Sequence, residues 1–293
     1  MKKILLSAVL FVSAFASAQM ADGSVAPNFT TQDTDGNSID LYSILDQGKS
    51  VIIDVSATWC GPCWSFHEAG TLGDLYNSIG PGGTDEAVIL WVEGDATTSS
   101  AELVSGGQGD WTQHNGSPVP YPIIDDAAVA NTLQIGYYPT FYVICPNRIV
   151  TNLDQQSEGI AQSDFEGFVG DCPAPASEAV DAVMAGYTGS TQACSNADFI
   201  PTVSIQNNGT DPLTSATIEA TVGGNVVSTE NWTGNLATYG LEAVTMPAIA
   251  NYSPGSIEFK ITAPDHYDVL ATGEKIEESN LGNGFKLTTY KEP

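Results

Sequence analysis

The pattern of apolar and polar positions divides the chain into two parts. Between residues 51 and 169, apolar runs with the length of strands alternate with segments of helical periodicity, which is typical of an α/β domain. The expected strands are 51–57, 87–92 and 140–144, and the expected helices are 66–79, 127–133 and 164–169. After Cys172 the helical pattern stops, and short β-rich runs follow at roughly ten-residue spacing. The second part is therefore predicted to be an all-β sandwich.

Within the second part, the apolar alternation predicts six strands separated by turn sequences such as Asn207-Asn208-Gly209. They cover residues 199–206, 214–222, 225–232, 241–246, 256–262 and 285–290. The Pro-rich stretch 173–178 lies between the two parts and reads as a linker, because prolines favour extended backbone and remove hydrogen-bond donors. The predicted domains are thus 19–172 and 179–293.

Residues 1–18 have the pattern of a signal peptide. Lys2 and Lys3 form a basic start, residues 4–15 are apolar, and Ala16-Ser17-Ala18 is a small-residue cleavage site. A run of that length is too short to span a bilayer, and no other apolar run after it is long enough. We therefore expect an exported protein, periplasmic or at the cell surface, with Gln19 as its first mature residue and no transmembrane segment.

The charge of the chain limits the classes of partner that it can bind. Eight Lys and Arg stand against 35 Asp and Glu, for a formal net charge of -27. Such an acidic surface repels a phosphate backbone, so nucleic acid is excluded as a partner. Export also makes disulfides permissible for the five cysteines, and because five is odd, at least one thiol lacks a partner within the chain.

The candidate chemistry lies in Cys60-Gly61-Pro62-Cys63, directly after the apolar run 51–57 and at the start of a helical segment. A sulfur at a helix N-terminus meets free N–H groups and the positive end of the dipole, which favour the thiolate. Cys60 is then the exposed attacking thiolate, and Cys63 is the resolving thiol. Zinc is the competing use, but no second pair of ligands at suitable spacing exists. A static structural disulfide is the third interpretation.

With its Trp59-to-Cys63 motif, the chain resembles the thioredoxin superfamily, specifically the exported TlpA/ResA-like branch related to AhpC/TSA proteins. The resemblance covers about residues 26–170 and includes Ala26-Pro27-Asn28-Phe29, Pro122-Ile123-Ile124-Asp125 and Gly136-Tyr137-Tyr138-Pro139-Thr140-Phe141. It implies an α/β thioredoxin-like fold, with a central mixed sheet flanked by helices. It also implies that Pro139 is a cis-proline facing the cysteines, since proline is the residue at which a cis bond costs little.

By the same resemblance, Asp54 is the buried acid that relays the proton of Cys63. Trp59 and the backbone of Tyr138 are expected to bind an extended client segment. The site needs no cofactor beyond its own disulfide and no metal. Its partners are the thiols and disulfides of client proteins and an electron donor that the sequence does not identify.

In a thioredoxin-like fold, the strand ending at Cys145 and the helix ending at Cys172 both finish at the end of the sheet opposite the active site. A disulfide between Cys145 and Cys172 is therefore expected. Pairing of Cys172 with Cys194 ranks second, and pairing of Cys145 with Cys194 ranks third. If Cys145 pairs with Cys172, Cys194 is expected to be a free thiol. The stretch 97–120 is longer than the family requires. A lid, a substrate contact and an insertion that the fold tolerates are the open interpretations, and we favour the insertion.

The second domain resembles the adhesion-related, CARDB-like immunoglobulin-type modules of secreted bacterial proteins, through residues 201–209 and 213–215. The resemblance carries no catalytic residue. The whole chain is therefore predicted to be an exported thiol-disulfide oxidoreductase followed by an immunoglobulin-like sandwich. Two alternatives stay open: a non-enzymatic surface or adhesion protein built on the thioredoxin fold, and a redox-sensing or disulfide-isomerising module.

Overall fold

The computed structural model describes residues 19–153, 160–189, 197–252, 257–264, 274–282 and 285–291. The predicted signal peptide and Cys194 lie outside these ranges. The described residues fall into an N-terminal α/β domain and a C-terminal β domain, which share no sheet. No helix among the described residues is long and apolar enough to cross a membrane.

The N-terminal domain contains nine strands and six helices among its described residues. The strands are β1 (Thr30–Gln32), β2 (Ser38–Asp40), β3 (Ser50–Ser56), β4 (Ala87–Glu93), β5 (Gln113–His114), β6 (Ser117–Pro118), β7 (Ile123–Asp125), β8 (Thr140–Ile144) and β9 (Val150–Asn152). The helices are α1 (Leu41–Leu45), α2 (Gly61–Ala69), α3 (Thr71–Ser78), α4 (Glu102–Ser105), α5 (Ala127–Thr132) and α6 (Gln162–Gly170).

Five of these strands form the central mixed sheet, in the order β7-β4-β3-β8-β9. Strands β3, β4 and β7 are parallel, whereas β8 runs antiparallel to β3 and β9 antiparallel to β8. All seven residues of β3 are buried, as expected for a central strand covered on both faces. One face packs against residues of α3 and α6, and the other against α1 and α5.

The helical segment expected at 66–79 is two helices rather than one. Gly70 separates α2 from α3 in a left-handed conformation, with φ 77°, and its N–H donates to the carbonyl of His67. A Cβ at this position would lie 2.6 Å from the ring of His114. Glycine therefore allows both the turn and the close approach of the neighbouring imidazole.

The described residues of the C-terminal domain form strands and contain no helix. They are β10 (Ala182–Tyr187), β11 (Ala197–Phe199), β12 (Thr202–Asn207), β13 (Leu213–Val222), β14 (Asn225–Leu236), β15 (Leu241–Thr245), β16 (Ile249–Tyr252), β17 (Ile257–Pro264), β18 (Glu274–Gly282) and β19 (Phe285–Lys291). They form sheets β14-β13-β17-β19-β18, β10-β12-β15 and β11-β16. Residues of all three sheets contribute to one apolar core.

Three details of this domain differ from the sequence prediction. The run 199–206 is divided at Pro201, which has no N–H to donate to a neighbouring strand. Strands β10, β16 and β18 are not among the six predicted strands. Strand β19 pairs parallel with β17, whereas the other strand pairs of the domain's described residues are antiparallel.

The two domains meet through the turn between β8 and β9. The side-chain amide of Asn147 donates to Gln206 Oε1 at 2.9 Å, and Gln206 Nε2 donates to the Asn147 carbonyl at 2.9 Å. The guanidinium of Arg148 lies 3.7 Å from the ring centre of Tyr42 and 4.7 Å from that of Tyr239, one ring from each domain. The domains therefore share a buried polar contact in addition to the linker.

Candidate active site

The cysteine pair lies where the central strand β3 passes into α2. Cys60 caps α2, its Sγ accepts the N–H of Cys63 at 3.2 Å, and Pro62 occupies the first turn, where its missing N–H costs no helical hydrogen bond. The structure joins Cys60 and Cys63 in a disulfide with an S–S distance of 2.03 Å. After reduction, the Cys60 sulfur is the one at the helix N-terminus, where free N–H groups and the dipole favour a thiolate.

Cys60 is less accessible than the sequence led us to expect. Only 3% of its surface is exposed in the disulfide form, and it belongs to the same apolar cluster as Cys63 and Trp111. The stretch 97–120 contributes to this cover, because Gln108 Nε2 donates to the carbonyl of Trp59 at 3.1 Å. The expectation of an exposed Cys60 is therefore wrong for the oxidised protein.

Asp54 lies on β3 and is fully buried. Its Oδ1 accepts a hydrogen bond from Ser56 Oγ at 2.6 Å, while Oδ2 has no donor among the described residues. Burial raises the pKa of Asp54 to about 7, and the Ser56 hydrogen bond opposes part of that rise. The carboxyl group can therefore gain and lose a proton near neutral pH.

Pro139 follows the cis Tyr138–Pro139 peptide bond and leads directly into β8. Because Thr140 pairs with Val55, this turn lies beside the end of β3 from which the cysteines follow. The ring of Tyr138 packs edge-on against that of Trp59, with 6.1 Å between ring centres. Trp59 itself is 56% exposed, which leaves an aromatic surface next to Cys60.

Two carboxylates that we did not identify from the sequence hold the loop before Cys60. Glu93, at the end of β4, is 2% exposed and accepts the backbone N–H groups of Thr58 at 2.7 Å and Asp95 at 2.8 Å. Asp95 in turn accepts the indole N–H of Trp59 at 2.7 Å. A usable signal was present, since acidic residues directly after a buried parallel strand lie at the edge where the cysteines also lie.

Burial raises the pKa of the Glu93 carboxyl, and the two backbone hydrogen bonds lower it. The pKa of Asp95 is lowered, first by the Thr97 N–H and then by the Trp59 indole. Asp95 therefore stays ionised while it holds Trp59 in place beside the disulfide.

The stretch 97–120 is part of the N-terminal core rather than a passive insertion. Trp111 is 1% exposed, stacks on Trp91 with 5.0 Å between ring centres, and meets Trp64 of α2 edge-on at 5.0 Å. The stretch approaches α2 so closely that a Cβ on Gly109 would lie 2.5 Å from the ring of Trp64. It therefore covers the helix that carries Cys63.

A second disulfide joins Cys145 to Cys172, with 5.3 Å between their Cα atoms. Cys145 directly follows β8, which is antiparallel to β3, so this disulfide lies at the end of the sheet opposite Cys60. It ties the end of β8 to the end of α6, directly before the linker. Among the described residues, no group of three or more His, Cys, Asp or Glu side chains is placed to hold a metal ion.

The N-terminal domain is similar to known proteins. Residues 23–153 match the sequence profile of the AhpC/TSA family. The thiol-disulfide oxidoreductase ResA of Bacillus thuringiensis is 26% identical over 136 residues, which cover 46% of this chain and 70% of ResA. ResA of Oceanobacillus iheyensis is 28% identical over 153 residues, covering 51% and 71% of the two chains.

Among solved structures, the thioredoxin domain of a thiol-disulfide oxidoreductase from Bacteroides vulgatus aligns with 22% identity and a TM-score of 0.39, covering 51% of this chain and 99% of that one. The exposed lipoprotein thioredoxin of Streptococcus pneumoniae aligns with 16% identity and a TM-score of 0.38, covering 50% and 99%. The family match and the topology of the central sheet lead to the same assignment. Residues 23–153 form a thioredoxin-like domain that is similar to the AhpC/TSA family and carries a Cys-x-x-Cys disulfide, and the relatives that match it are named thiol-disulfide oxidoreductases.

Proposed function

We propose that this protein is an exported thiol-disulfide oxidoreductase that reduces or exchanges disulfides in client proteins. The observation that carries the proposal is the disulfide between Cys60 and Cys63 at the N-terminus of α2, with a buried carboxyl group, Asp54, on the strand that precedes it. The ResA proteins, which share 26% and 28% identity with this domain, support the same chemistry.

Reduction of a client takes two exchange steps. In the first, the Cys60 thiolate attacks one sulfur of the client disulfide, and the other client sulfur leaves as a thiolate with the electron pair of the broken bond. In the second, Cys63 passes its thiol proton to Asp54 and attacks Cys60 Sγ. The Cys60–Cys63 disulfide forms again, and the second client sulfur leaves as a thiolate. An external dithiol must then return the two electrons.

The cis-proline turn and the aromatic surface beside Cys60 provide the client-binding face in this proposal. Pro139 precedes β8 at the edge where the cysteines lie, and the backbone of Tyr138 offers hydrogen-bonding groups to an extended segment. The exposed ring of Trp59, held by Asp95, supplies apolar contact next to the attacking sulfur. The Gly61-Pro62 pair between the cysteines resembles that of the reducing members of the superfamily, whose reduction potentials are about -270 mV.

The C-terminal domain is proposed to be an immunoglobulin-like sandwich of the CARDB type that spaces, displays or docks the redox domain. Its three-stranded and five-stranded sheets share one apolar core, which supports a sandwich. The parallel pairing of β17 with β19 is a departure from a purely antiparallel sandwich.

Export is tested on the protein as the cell makes it. N-terminal sequencing of the chain recovered from outside the cytoplasm should begin at Gln19. Recovery of the chain in the cytoplasm, with residues 1–18 still attached, would contradict export.

The redox function is tested with the full mature chain and two variants. Wild type should accelerate the reduction of insulin by dithiothreitol, and Cys63→Ser should accumulate mixed disulfides with glutathione or a client, because the resolving thiol is gone. Cys60→Ser should form none of these species, and Cys194→Ser, outside the motif, should behave as wild type. If wild type gives no acceleration and neither variant is trapped, the non-enzymatic surface protein is the better interpretation.

A further inference from the structure

The turn that is proposed above to bind the client is not held by backbone hydrogen bonds. It consists of residues 136–139, directly before β8. Among the described residues, none of its N–H or carbonyl groups is hydrogen-bonded to another backbone group. The backbone of Tyr138 is thereby left available to a client segment. Side chains must then hold the turn in place.

Thr140, the first residue of β8, closes this turn with its side chain. Its Oγ1 donates to the carbonyl of Tyr137 at 2.8 Å, a bond that spans Tyr138 and Pro139. Thr140 is fully buried. Its hydroxyl has one hydrogen, which this bond uses, so any further contact of Oγ1 must come from a donor.

Gln19 supplies that donor. Its Nε2 lies 2.7 Å from Thr140 Oγ1. Because an amide nitrogen can only donate, Thr140 is the acceptor and keeps its own hydrogen for Tyr137. The two bonds run in one direction, from Gln19 through Thr140 to the Tyr137 carbonyl, so each strengthens the other.

The segment that carries Gln19 is anchored along β9. Met20 is 5% exposed and shares an apolar cluster with Val150. The side-chain amide of Asn152 donates to the Met20 carbonyl at 3.3 Å, and the N–H of Gly23 donates to the Val150 carbonyl at 2.8 Å. These contacts fix the backbone next to Gln19, so its side chain is held beside the sheet.

The oxygen of the Gln19 amide lowers the stability of the fold. Oε1 is buried and accepts no hydrogen bond from the described residues. A buried acceptor without a donor is unfavourable, and an apolar side chain of the same length would avoid that cost. The favourable polar contact of this side chain is therefore the one that Nε2 makes with Thr140.

We propose that Gln19 is a positioning residue that holds the turn of residues 136–139 through Thr140 and so presents the Tyr138 backbone to a client segment. The inference rests on the proposed function, in which this turn binds the client. Gln19 then acts on client binding and leaves the exchange chemistry at Cys60 unchanged. A small disulfide, which has no peptide backbone, does not use the turn.

The kinetic test compares wild type with Gln19→Met, which keeps the length of the side chain and removes both polar atoms. Insulin is the protein substrate, with dithiothreitol as the dithiol, and hydroxyethyl disulfide is the small substrate. Gln19→Met should raise KM for insulin about fivefold, the effect of one hydrogen bond, and leave kcat unchanged. The rate with hydroxyethyl disulfide should not change.

The urea midpoint of Gln19→Met separates positioning from a general loss of stability. It should be unchanged or higher, because the unpartnered Oε1 is gone, whereas a purely structural role would lower it. An N-terminal glutamine can cyclise with loss of its side-chain nitrogen. Each preparation of the mature chain is therefore checked by mass spectrometry for an intact Gln19 amide.

Three further variants show whether Gln19 acts through Thr140. Thr140→Val removes the hydroxyl with little change in shape and should raise KM for insulin at least as much as Gln19→Met. The double variant should match Thr140→Val, and Thr140→Ser, which keeps the hydroxyl, should match wild type. Gln47→Met is the matched control, because the Gln47 amide donates to the Ser43 carbonyl at 2.6 Å, away from the turn.

A second readout needs no turnover. Nitrogen NMR relaxation of the oxidised chain should give order parameters of about 0.85 for the amide groups of Tyr137 and Tyr138. In Gln19→Met and Thr140→Val these values should fall to about 0.6, while Gln47→Met keeps the wild-type values.

Unchanged order parameters in Gln19→Met, an unchanged KM for insulin, or additive effects in the double variant would each overturn the proposal. Should Thr140→Val not fold, Gln19→Met and Thr140→Ser decide it. A wild type that reduces neither insulin nor hydroxyethyl disulfide would instead contradict the proposed function, and the order parameters would still decide whether Gln19 holds the turn.

Discussion

Asn147 and Gln206 exchange two hydrogen bonds of 2.9 Å across the two domains, with 5% and 0% of their surfaces exposed. The glutamine amide also donates to the carbonyl of Tyr239, and the Tyr239 hydroxyl accepts the N–H of Ala176 in the linker. One buried side chain of the second domain is thus connected to the redox domain and, through Tyr239, to the linker. The linker predicted from its prolines is consequently held at Ala176 instead of hanging free.

Truncating Gln206 should loosen this junction. Gln206→Ala leaves the buried polar groups of Asn147 without partners, at a cost of about 1–3 kcal/mol in the free energy of unfolding. Limited proteolysis between residues 173 and 178 should become faster than in wild type. Gln32→Ala, at an exposed glutamine, should change the free energy of unfolding by less than about 0.5 kcal/mol and leave the cleavage rate unchanged. Equal rates for all three proteins would show that the junction does not protect the linker.

Asp54→Asn should stabilise the oxidised protein at neutral pH. The pKa of Asp54 is about 7 in the folded chain, against an unfolded value of about 3.9, so the folded state binds the proton more tightly. The stabilisation of the folded state by this bound proton is fully present below pH 4 and is lost as the pH rises through 7. Asparagine is neutral at every pH and has no such loss. The free energy of unfolding of the variant should therefore rise relative to that of wild type between pH 4 and 7, by on the order of 4 kcal/mol.

Paired urea denaturation of the Asp54→Asn and wild-type proteins, from pH 4 to 9, measures this difference. The same substitution should slow the release of trapped mixed disulfides, because Cys63 loses its proton acceptor. A variant that is equally or less stable at every pH would mean that Asp54 is ionised in the folded protein, and it would remove Asp54 from the mechanism.

The rate of disulfide exchange should depend on the charge of the substrate. In residues 19–172, 21 acidic side chains stand against Lys49 and Arg148. Lys49 precedes β3 and Arg148 precedes β9, so both lie at the end of the sheet opposite the cysteines. Cystamine is cationic and oxidised glutathione is anionic. The ratio of the cystamine rate to the glutathione rate should therefore be higher at low salt than at high salt.

The ratio of the two rates should fall by about tenfold between 10 and 150 mM salt, because the screening length drops from about 30 Å to about 8 Å. Uncharged hydroxyethyl disulfide is the control, and its rate should not change with salt. A ratio that is independent of salt would show that the acidic surface does not select substrates.

Removing Trp111 should destabilise the redox domain. Because its ring is buried between Trp91 and Trp64, Trp111→Ala should lower the free energy of unfolding by about 3–5 kcal/mol. Val104→Ala, in the same stretch but 56% exposed, should cost less than about 0.5 kcal/mol. Urea midpoints of both variants check this, and a small effect of Trp111→Ala would restore the interpretation of 97–120 as a tolerated insertion.

Local pattern and composition determined much of the N-terminal domain. The apolar run before Cys60 could only be a buried strand, and Gly61-Pro62 with the following helical periodicity required a helix start at the cysteines. The family match and the sheet topology confirm the thioredoxin-like fold. In the second domain, period-two alternation predicted most strands. Strands β10, β16 and β18, and the parallel pairing of β17 with β19, depend on contacts far apart in the chain.

The sequence alone determined which side chains can do redox chemistry, because cysteine spacing and the strand-to-helix transition are local features. Tertiary structure decided how those groups are tuned. Glu93 supports the loop before Cys60, Trp111 covers α2, and the Tyr121 hydroxyl lies 3.4 Å from Nδ1 of the buried His67. These hydrogen bonds and buried contacts form between residues tens of positions apart in the chain. The periodicity of the sequence does not indicate which of those residues come into contact. The charge state of a buried carboxyl such as Asp54 depends on those neighbours, so the fold had to be known before the chemistry could be stated.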